Sequence, residues 1–422
     1  MGKLNKEVNN NDILPNDVWK WNYIEEVIRK TMDLYNFKEI RTSIIQTQEL
    51  FKTYQNYFTE EESTSNQLIY NLNGVSNLSL RPEGTITVLH SILNNNQKEQ
   101  LSKLYYIGPM FRKSKENQLL QFHQFGAEII GINDLLTDNE IILLAISIFK
   151  NLEIYNYTLE LGSFGCKKCR NTYLNKLNKF IKEHKDEYCP ECSYTIKQNP
   201  LQIYQCKQDQ CTNISMSSPS IIDYLCDDCA NHFKQLQKML SNLGVRFSIN
   251  SHLQSAFNYY NRTIFSFSIE DKGETLILAN GGRYDFLASS VLKKESPAIG
   301  FSANIENIVR VMEHKNIFLE PKNNFRVLIS PMASNLEIFV LQIVQELHEN
   351  NVHTHILNFT ENHDNMVKLT IQHQADIVIY ITEELIREGK LLVNNNLKNH
   401  QEPIQIAEIS NYVLTLKKST TI

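Results

Sequence analysis

The sequence predicts an α/β chain in three parts. They are an α+β core, a cysteine-bearing insertion within it, and a small C-terminal α/β domain. Three observations predict this. Strand-like segments at 103–112 and 121–132, joined by the polar loop SKENQ, and again at 256–269 and 274–280, mark the two sections of the core. All eight cysteines lie between Cys166 and Cys229. After residue 325, apolar strand-like runs alternate with helical ones, the pattern of a mostly parallel sheet.

In chain order, Val18, Trp21, Ile24, Val27, Ile28 and Leu34 recur at helical spacing over 17–36, behind the start signal Pro15-Asn16-Asp17. Residues 37–46 read as a strand, 67–72 and 76–81 as a hairpin around Asn73-Gly74, and 83–96 as a helix. A strongly apolar helix follows the 121–132 strand at 138–153. The segment 161–250 is lysine-rich and helical between its cysteines. Beyond the 274–280 strand, Gly281-Gly282 reads as a break and 302–314 as a helix. The polar stretch from His314 to Asn324 is the linker. The last part reads as strand FRVLIS, helix 335–349, strand THILNF, helix 363–373, strand DIVIYI and shorter strands. The expected domains are therefore 1–160 and 251–318 for the two sections of the core, 161–250 for the insertion and 325–422 for the C-terminal domain.

Composition agrees with a folded, multi-domain chain. Its 422 residues exceed one ordinary domain of roughly 100–200 residues. Apolar residues make up 42% and charged residues 21%, enough to bury a core. Forty-two Lys and Arg against 47 Asp and Glu give a net charge of −5, which excludes a chain-wide basic coat but not a local nucleic-acid surface. There is no run of 18 apolar residues, and MGKLNKEVNNND has no apolar signal region, so no membrane contact and a cytoplasmic location are expected.

The cysteines form four close pairs: Cys166/Cys169, Cys189/Cys192, Cys206/Cys211 and Cys226/Cys229. In a reducing compartment such pairs read as zinc ligands, each knuckle aiming two thiolates at one ion. Eight thiolates fill two four-cysteine Zn²⁺ sites; which pairs share a metal is open, and reduced, unliganded thiols are the alternative. A catalytic zinc is disfavoured, because no His or carboxylate stands in the knuckles to leave an open position.

Five colinear segments carry a family resemblance. YYIGPMFRKSKENQLLQFHQFGAEIIG (105–131) resembles motif 2 of the class II aminoacyl-tRNA synthetases in its histidyl form. LRPEGT (80–85) resembles the amino-acid-binding segment of the histidyl enzyme, YYNRTIF (259–265) and GGRYD (281–285) its two histidine-specific motifs, and PAIGF (297–301) the opening of motif 3. The resemblance implies a class II antiparallel catalytic sheet, a homodimer, the insertion and an anticodon-binding-like C-terminal domain. It also implies histidine, tRNA-His, ATP and Mg²⁺ as ligands of an active enzyme.

A histidine ligand needs oxygen acceptors for its ammonium and a partner at each ring nitrogen. By resemblance Glu83, Thr85 and Gln124 face the ammonium, Glu128 and Tyr260 bracket the imidazole with Tyr259 beside them, and Gly281 and Gly282 floor the pocket. On the strand 121–131, Gln124 and Glu128 share one face by the two-residue period.

The phosphate side departs from the family. Adenylation needs fixed cations where charge develops on the α-phosphate, and arginine suits this through its planar fork. Arg112 matches the motif 2 arginine. The shortened motif 2 loop has Ser114 for a glutamate and Gln118 and Leu120 for arginines, with Lys113 and Lys115 as flexible point charges. Ser255 stands where the first histidine-specific motif has arginine, and Asn307 where motif 3 ends in one; Asn304 replaces a glycine. Arg310, one turn beyond Asn307, is expected to point away. Motif 1, Arg41-Thr42-Ser43-Ile44-Ile45-Gln46, has lost its interface proline, which weakens the expected dimer contact.

The reading is a divergent paralogue that binds histidine but is impaired in adenylation. It resembles in part the regulatory subunit of ATP phosphoribosyltransferase and so has a possible protein partner enzyme. That subunit generally lacks the insertion and a true anticodon-binding domain. The alternatives are an active histidine–tRNA ligase with unusual ATP contacts, and a tRNA-binding protein using lysines such as Lys368, Lys390, Lys398, Lys417 and Lys418.

Overall fold

The structure is a computed structural model, and it describes residues 8–9, 12–55, 69–72, 77–95, 102–113, 119–198, 200–206, 208–253, 259–318, 325–357 and 375–420. The chain divides into two compact units, Met1–Phe318 and Leu319–Ile422, so the boundary falls inside the expected linker.

In the first unit, β1 (Val8–Asn9) precedes α1 (Pro15–Leu34), β2 (Lys38–Glu39), β3 (Ile45–Thr47), α2 (Gln48–Gln55), β4 (Leu78–Leu80) and α3 (Thr85–Asn94). The long hairpin β5 (Ser102–Lys113) and β6 (Leu119–Ile130) leads into α4 (Leu135–Asn151) and β7 (Thr158–Ser163). The insertion contributes α5 (Lys167–Glu183), α6 (Pro190–Gln198), α7 (Asp209–Met216) and α8 (Asp227–Asn242). The chain returns through β8 (Ser248–Ile249), β9 (Asn261–Asp271), β10 (Glu274–Arg283), α9 (Asp285–Leu292), β11 (Ala298–Asn304) and α10 (Ile305–His314).

One sheet organises this unit, in the order β2-β5-β6-β11-β10-β9-β7-β8, with β1 against β6. Its centre is antiparallel throughout: β5/β6, β6/β11, β11/β10, β10/β9 and β9/β7. On one face lies the main core. α4 is apolar on nearly every side, with Ile141, Ile142, Leu144, Ala145, Ile148 and Phe149 fully buried beside Phe125, Phe265, Phe267 and Phe301 of the strands. Asp134 caps α4 by accepting from the Leu136 N–H. The opposite face carries a second apolar cluster, which includes Met110, Ile130 and Ile264, and among it the polar residues of the site.

Several expectations are corrected. The strand expected over 37–46 splits into β2 and β3, because the Arg81 guanidinium takes the Thr42 carbonyl and hydroxyl, both at 2.9 Å, in place of a ladder partner. The hairpin expected over 67–81 is seen in its described part, where Asn71 bridges Ser79 antiparallel with backbone bonds Leu72–Leu78 and Leu80–Tyr70, and β4 also pairs with β3; Asn73-Gly74 lies outside the described residues. Gly281-Gly282 is no break, since β10 runs through it paired on both sides. The fold draws the insertion more narrowly than 161–250. β7 and β8 belong to the sheet, and α8 sends Phe233, Leu236 and Leu240, at helical spacing, into the main core.

The second unit holds β12 (Arg326–Pro331), α11 (Glu337–Glu349), β13 (His353–Ile356), β14 (Ile377–Ile381), α12 (Glu383–Arg387), β15 (Lys390–Asn395), β16 (His400–Gln405) and α13 (Ile409–Thr420). The sheet order is β13-β12-β14-β15-β16. It is mixed rather than mostly parallel: β12 runs parallel to β13 and β14, while β15 and β16 turn back as an antiparallel extension. The helix expected at 363–373 lies outside the described residues.

Candidate functional site

The site face of the sheet is set by register. Gln124, Gly126 and Glu128 of β6 stand opposite Asn304, Ser302 and Gly300 of β11, and Ser302 and Gly300 stand opposite Asn280 and Gly282 of β10. A Cβ at Gly300 would strike the Glu128 carboxylate, so only glycine leaves that side chain its place.

Glu128 is the centre of a buried network. Thr85 Oγ1 donates to its Oε1 at 2.7 Å and the Tyr284 hydroxyl to its Oε2 at 2.5 Å. Burial pushes the Glu128 carboxyl up to about 8, against the two hydroxyl donors and with Glu83 adding repulsion. Glu83, also buried, accepts from the backbone N–H of Thr85 at 2.8 Å and of Ile86 at 3.0 Å, at the positive N-terminus of α3. Burial raises its pKa and those N–H donors oppose the rise. Thr85 thus links both carboxyls. The Tyr106 hydroxyl donates to Gln124 Oε1 at 3.1 Å. Tyr259 and Tyr260 lie ring to ring at 4.6 Å, and Tyr259 meets the Tyr284 ring edge-on. Gly282 leaves room for Tyr260, whose Cδ1 is 3.0 Å from where a Cβ would stand. Gly281, expected to floor the pocket, faces the other way: a side chain there would meet Phe265 and Phe301 of the core, because successive residues of a strand alternate faces. The other expected pocket residues are brought together.

Beside this network opens a cleft of about 170 Å³. Its lining includes Arg112, Phe122, Gln124 and Tyr260 together with Asn280, Ser302, Asn304 and Asn307. Arg112 is the sole cationic side chain among the described lining residues. Its Nε donates to the Pro82 carbonyl at 2.9 Å and its guanidinium stacks 4.7 Å from the Phe122 ring centroid. Asn307 Nδ2 donates to the Ile277 carbonyl at 2.8 Å, and Asn304 caps α10 by accepting from the Asn307 N–H at 2.8 Å. Arg310 turns away from the cleft, to Asp271 at 3.0 Å and Glu274 at 2.8 Å. The Lys113 ammonium lies 5.7 Å from the Tyr70 ring centroid. Ser255, Ser114 and Lys115 lie outside the described residues.

The eight cysteines gather into two sets of four. Cys166, Cys169, Cys226 and Cys229 form one, and Cys189, Cys192, Cys206 and Cys211 the other, with all sulfurs of a set within 4.8 Å of one another. The sulfur separations Cys166–Cys169 of 3.5 Å, Cys166–Cys226 of 3.9 Å and Cys189–Cys206 of 4.0 Å bracket the ~3.8 Å edge of a tetrahedron with ~2.3 Å zinc–sulfur bonds. Backbone N–H groups already point at the sulfurs, from Cys226 to Cys169 at 3.1 Å and from Cys189 to Cys211 at 3.2 Å, as suits thiolates. The geometry thus settles which pairs belong together: the first knuckle with the fourth, the second with the third.

Sequence reasoning missed four residues of this architecture. Tyr106 sits opposite Gly126 on β5, and its place on the site face follows from the two-residue period once β5 is paired with β6. Tyr284 adjoins the GGR segment but acts through Glu128. Arg283 is fully buried and grips Asp138 of α4 through Nε, at 2.9 and 3.1 Å, and through Nη2. This pair joins β10 to α4 and nothing in either local segment announces it.

A central antiparallel sheet flanked by helices, with motif 2 as its long hairpin and motif 3 as the strand–helix β11–α10, defines a class II aminoacyl-tRNA synthetase core. The family model described as histidyl-tRNA synthetase matches residues 9–168 and 222–308, leaving out the interior of the insertion. The chain is 31% identical to the histidine–tRNA ligase of Halothermothrix orenii, over 94% of this chain and 96% of that one. It is 30% identical to the histidine–tRNA ligase of Moorella thermoacetica, over 97% of each. The crystal structure of apo S. aureus histidyl-tRNA synthetase superposes with a TM-score of 0.78 at 25% identity, over 98% of this chain and 100% of that chain. An ATP phosphoribosyltransferase regulatory subunit/histidyl-tRNA synthetase from Bacillus halodurans shares the fold, with a TM-score of 0.61 at 16% identity over 90% of this chain and 98% of that one. The chain belongs to the histidyl-tRNA synthetase family. No helix among the described residues is long and apolar enough to cross a membrane.

Proposed function

We propose that this chain is a family paralogue that binds histidine and is impaired in ATP-dependent adenylation, acting as a regulatory subunit or in a task other than bulk tRNA charging. One observation carries this reading: the cleft beside the pocket offers a single cation, Arg112, among its described lining residues. The motif 3 position is Asn307, whose amide is spent on the Ile277 carbonyl, and Arg310 is spent on Asp271 and Glu274. A triphosphate carries three to four negative charges, and these residues do not fit it. Removing one oxyanion donor costs about 10²–10³ in rate.

On the amino-acid side the residues suit histidine. Glu83 and Gln124 supply oxygens to an ammonium, and Glu128 with Tyr260 supplies partners for an imidazole, with Tyr259 beside them. Thr85 orients both carboxyls. Arg112 faces the single carboxylate of an amino acid. The two cysteine sets would each hold one Zn²⁺, closed by four thiolates and therefore structural. A homodimer and docking of tRNA-His are carried over from the family, with a protein partner enzyme as the counterpart of a regulatory role.

The second reading is an active histidine–tRNA ligase, favoured by the guanidinium of Arg112 in the cleft and by the full-length similarity to the ligases named above. Histidine-dependent ATP–pyrophosphate exchange, run beside a thermal shift with histidine alone, separates the two. The proposal expects a histidine shift with exchange at least about 10²-fold below an ordinary ligase. Exchange at ordinary rates overturns it in favour of the ligase, and no shift at all removes histidine as the ligand.

A further inference from the structure

The two cysteine sets differ in what they touch. The first stands where the insertion leaves and rejoins the sheet. Cys166 follows β7 by three residues, and Cys226 opens α8, whose far turns lie in the main core. Gly165, next to Cys166, takes a left-handed φ of 58°, and a side chain there would press on Cys169 and Leu225, so the knuckle turn needs glycine. The backbone around it is tied to the start of β9 in both directions: the Phe164 N–H donates to the Arg262 carbonyl and the Arg262 N–H to the Gly165 carbonyl, each at 2.8 Å. Arg262 itself holds a left-handed φ of 51°, a conformation a non-glycine residue keeps only when its surroundings impose it.

Arg262 is two residues from Tyr260, which lines the cleft. Its other neighbours are equally fixed. Asn261 exchanges two hydrogen bonds with Asp285, at 2.7 and 2.8 Å, and Thr263 donates to Asp138 at 2.5 Å. The second arm of the first set reaches the same point: His232 of α8 lies 3.7 Å from Asp138 Oδ1. By contrast, the sulfurs of the second set accept from Cys189, Cys192 and Gln208, all inside the insertion.

We propose that the metal held by Cys166, Cys169, Cys226 and Cys229 braces the amino-acid pocket, setting Tyr260 through the reciprocal Phe164–Arg262 backbone pair, while the metal of the second set serves the insertion alone. This rests on the reading of both sets as zinc sites. Phe164, Gly165 and Arg262 are then positioning residues. The amino-acid affinity of the protein depends on one metal and not on the other.

The test uses full-length protein with three substitutions, Cys169→Ser, Cys192→Ser and Gly165→Ala. Its readouts are zinc content, histidine affinity and hydrogen exchange over residues 259–265, the last needing no ligand. Wild type should carry two zinc per chain. Cys192→Ser should keep one zinc with histidine affinity and exchange as in wild type. Cys169→Ser should also keep one zinc, but lose about tenfold or more in histidine affinity and exchange faster over 259–265. Gly165→Ala keeps all four thiols but sets a Cβ against Cys169, so it should lower zinc occupancy at the first set only and move both readouts the same way; it decides the matter if Cys169→Ser does not fold. Equal exchange over 259–265 in Cys169→Ser and Cys192→Ser overturns the brace, as does a wild type without zinc. If two-zinc wild type fails to bind histidine, the ligand reading falls, and faster exchange in Cys169→Ser still supports the brace.

Discussion

The site has two halves, the buried network and the cleft beside it, which differ in how their polar groups are used. In the amino-acid half, Glu83, Thr85, Glu128, Tyr284, Tyr106 and Gln124 form a buried, mutually bonded set, with each carboxyl oxygen facing a placed donor. In the neighbouring half, amides replace charge: Asn304 caps a helix and Asn307 binds a strand carbonyl. The amides of this half are thus taken up by local backbone bonding, while the carboxyls of the other half are held by placed donors. A network whose members depend on one another resists piecemeal change, whereas a half-exposed clamp can be replaced one residue at a time.

The largest expected effect would break this comparison by rebuilding the clamp. Asn307→Arg combined with Ser255→Arg should raise histidine-dependent ATP–pyrophosphate exchange by about 10²-fold or more if loss of cations limits adenylation. An unchanged rate would place the defect elsewhere, for example in the motif 2 loop.

Next comes the buried network. Glu128→Gln should weaken histidine binding about 10- to 100-fold by calorimetry, since it replaces one acceptor oxygen by an NH2 donor that faces the hydroxyls of the network and the ligand nitrogen. The same variant sharpens the comparison through pH. The Glu128 carboxyl is at about 8 in the fold, above its ordinary 4.5. The folded state therefore keeps a proton that the unfolded chain releases. That contribution to stability is complete below pH 4.5 and is lost as pH rises through about 8. Wild-type Tm without ligand should fall over that window, and Glu128→Gln should fall less.

Smaller effects belong to the neutral half. Asn304→Ala should cost about 1 kcal/mol in urea unfolding, the usual loss for a helix cap. Arg310→Ala should leave histidine and nucleotide binding unchanged, because its guanidinium faces Asp271 and Glu274. A binding defect in Arg310→Ala would mean that this arginine swings into the cleft.

Much of this was legible in the linear chain. The hairpin 103–112/121–132, the shared face of Gln124 and Glu128, the linker before residue 325 and the cysteine knuckles all follow from local period and spacing. The motif order carried the family. Local rules failed where a distant group intervened. Arg81 took the hydrogen bonds that would have extended a strand through Thr42, and phenylalanines of the core, not the ligand pocket, claimed the face of Gly281.

The sequence by itself therefore determined the family, the sheet-forming segments and the residue types available to each half of the site, because these depend on short-range pattern. The tertiary structure alone decided which cysteines gather into one set, that Arg310 turns to Asp271 and Glu274, and that the buried Arg283–Asp138 pair ties β10 to α4. Each of these joins groups far apart in the chain, and only packing brings such groups within bonding distance.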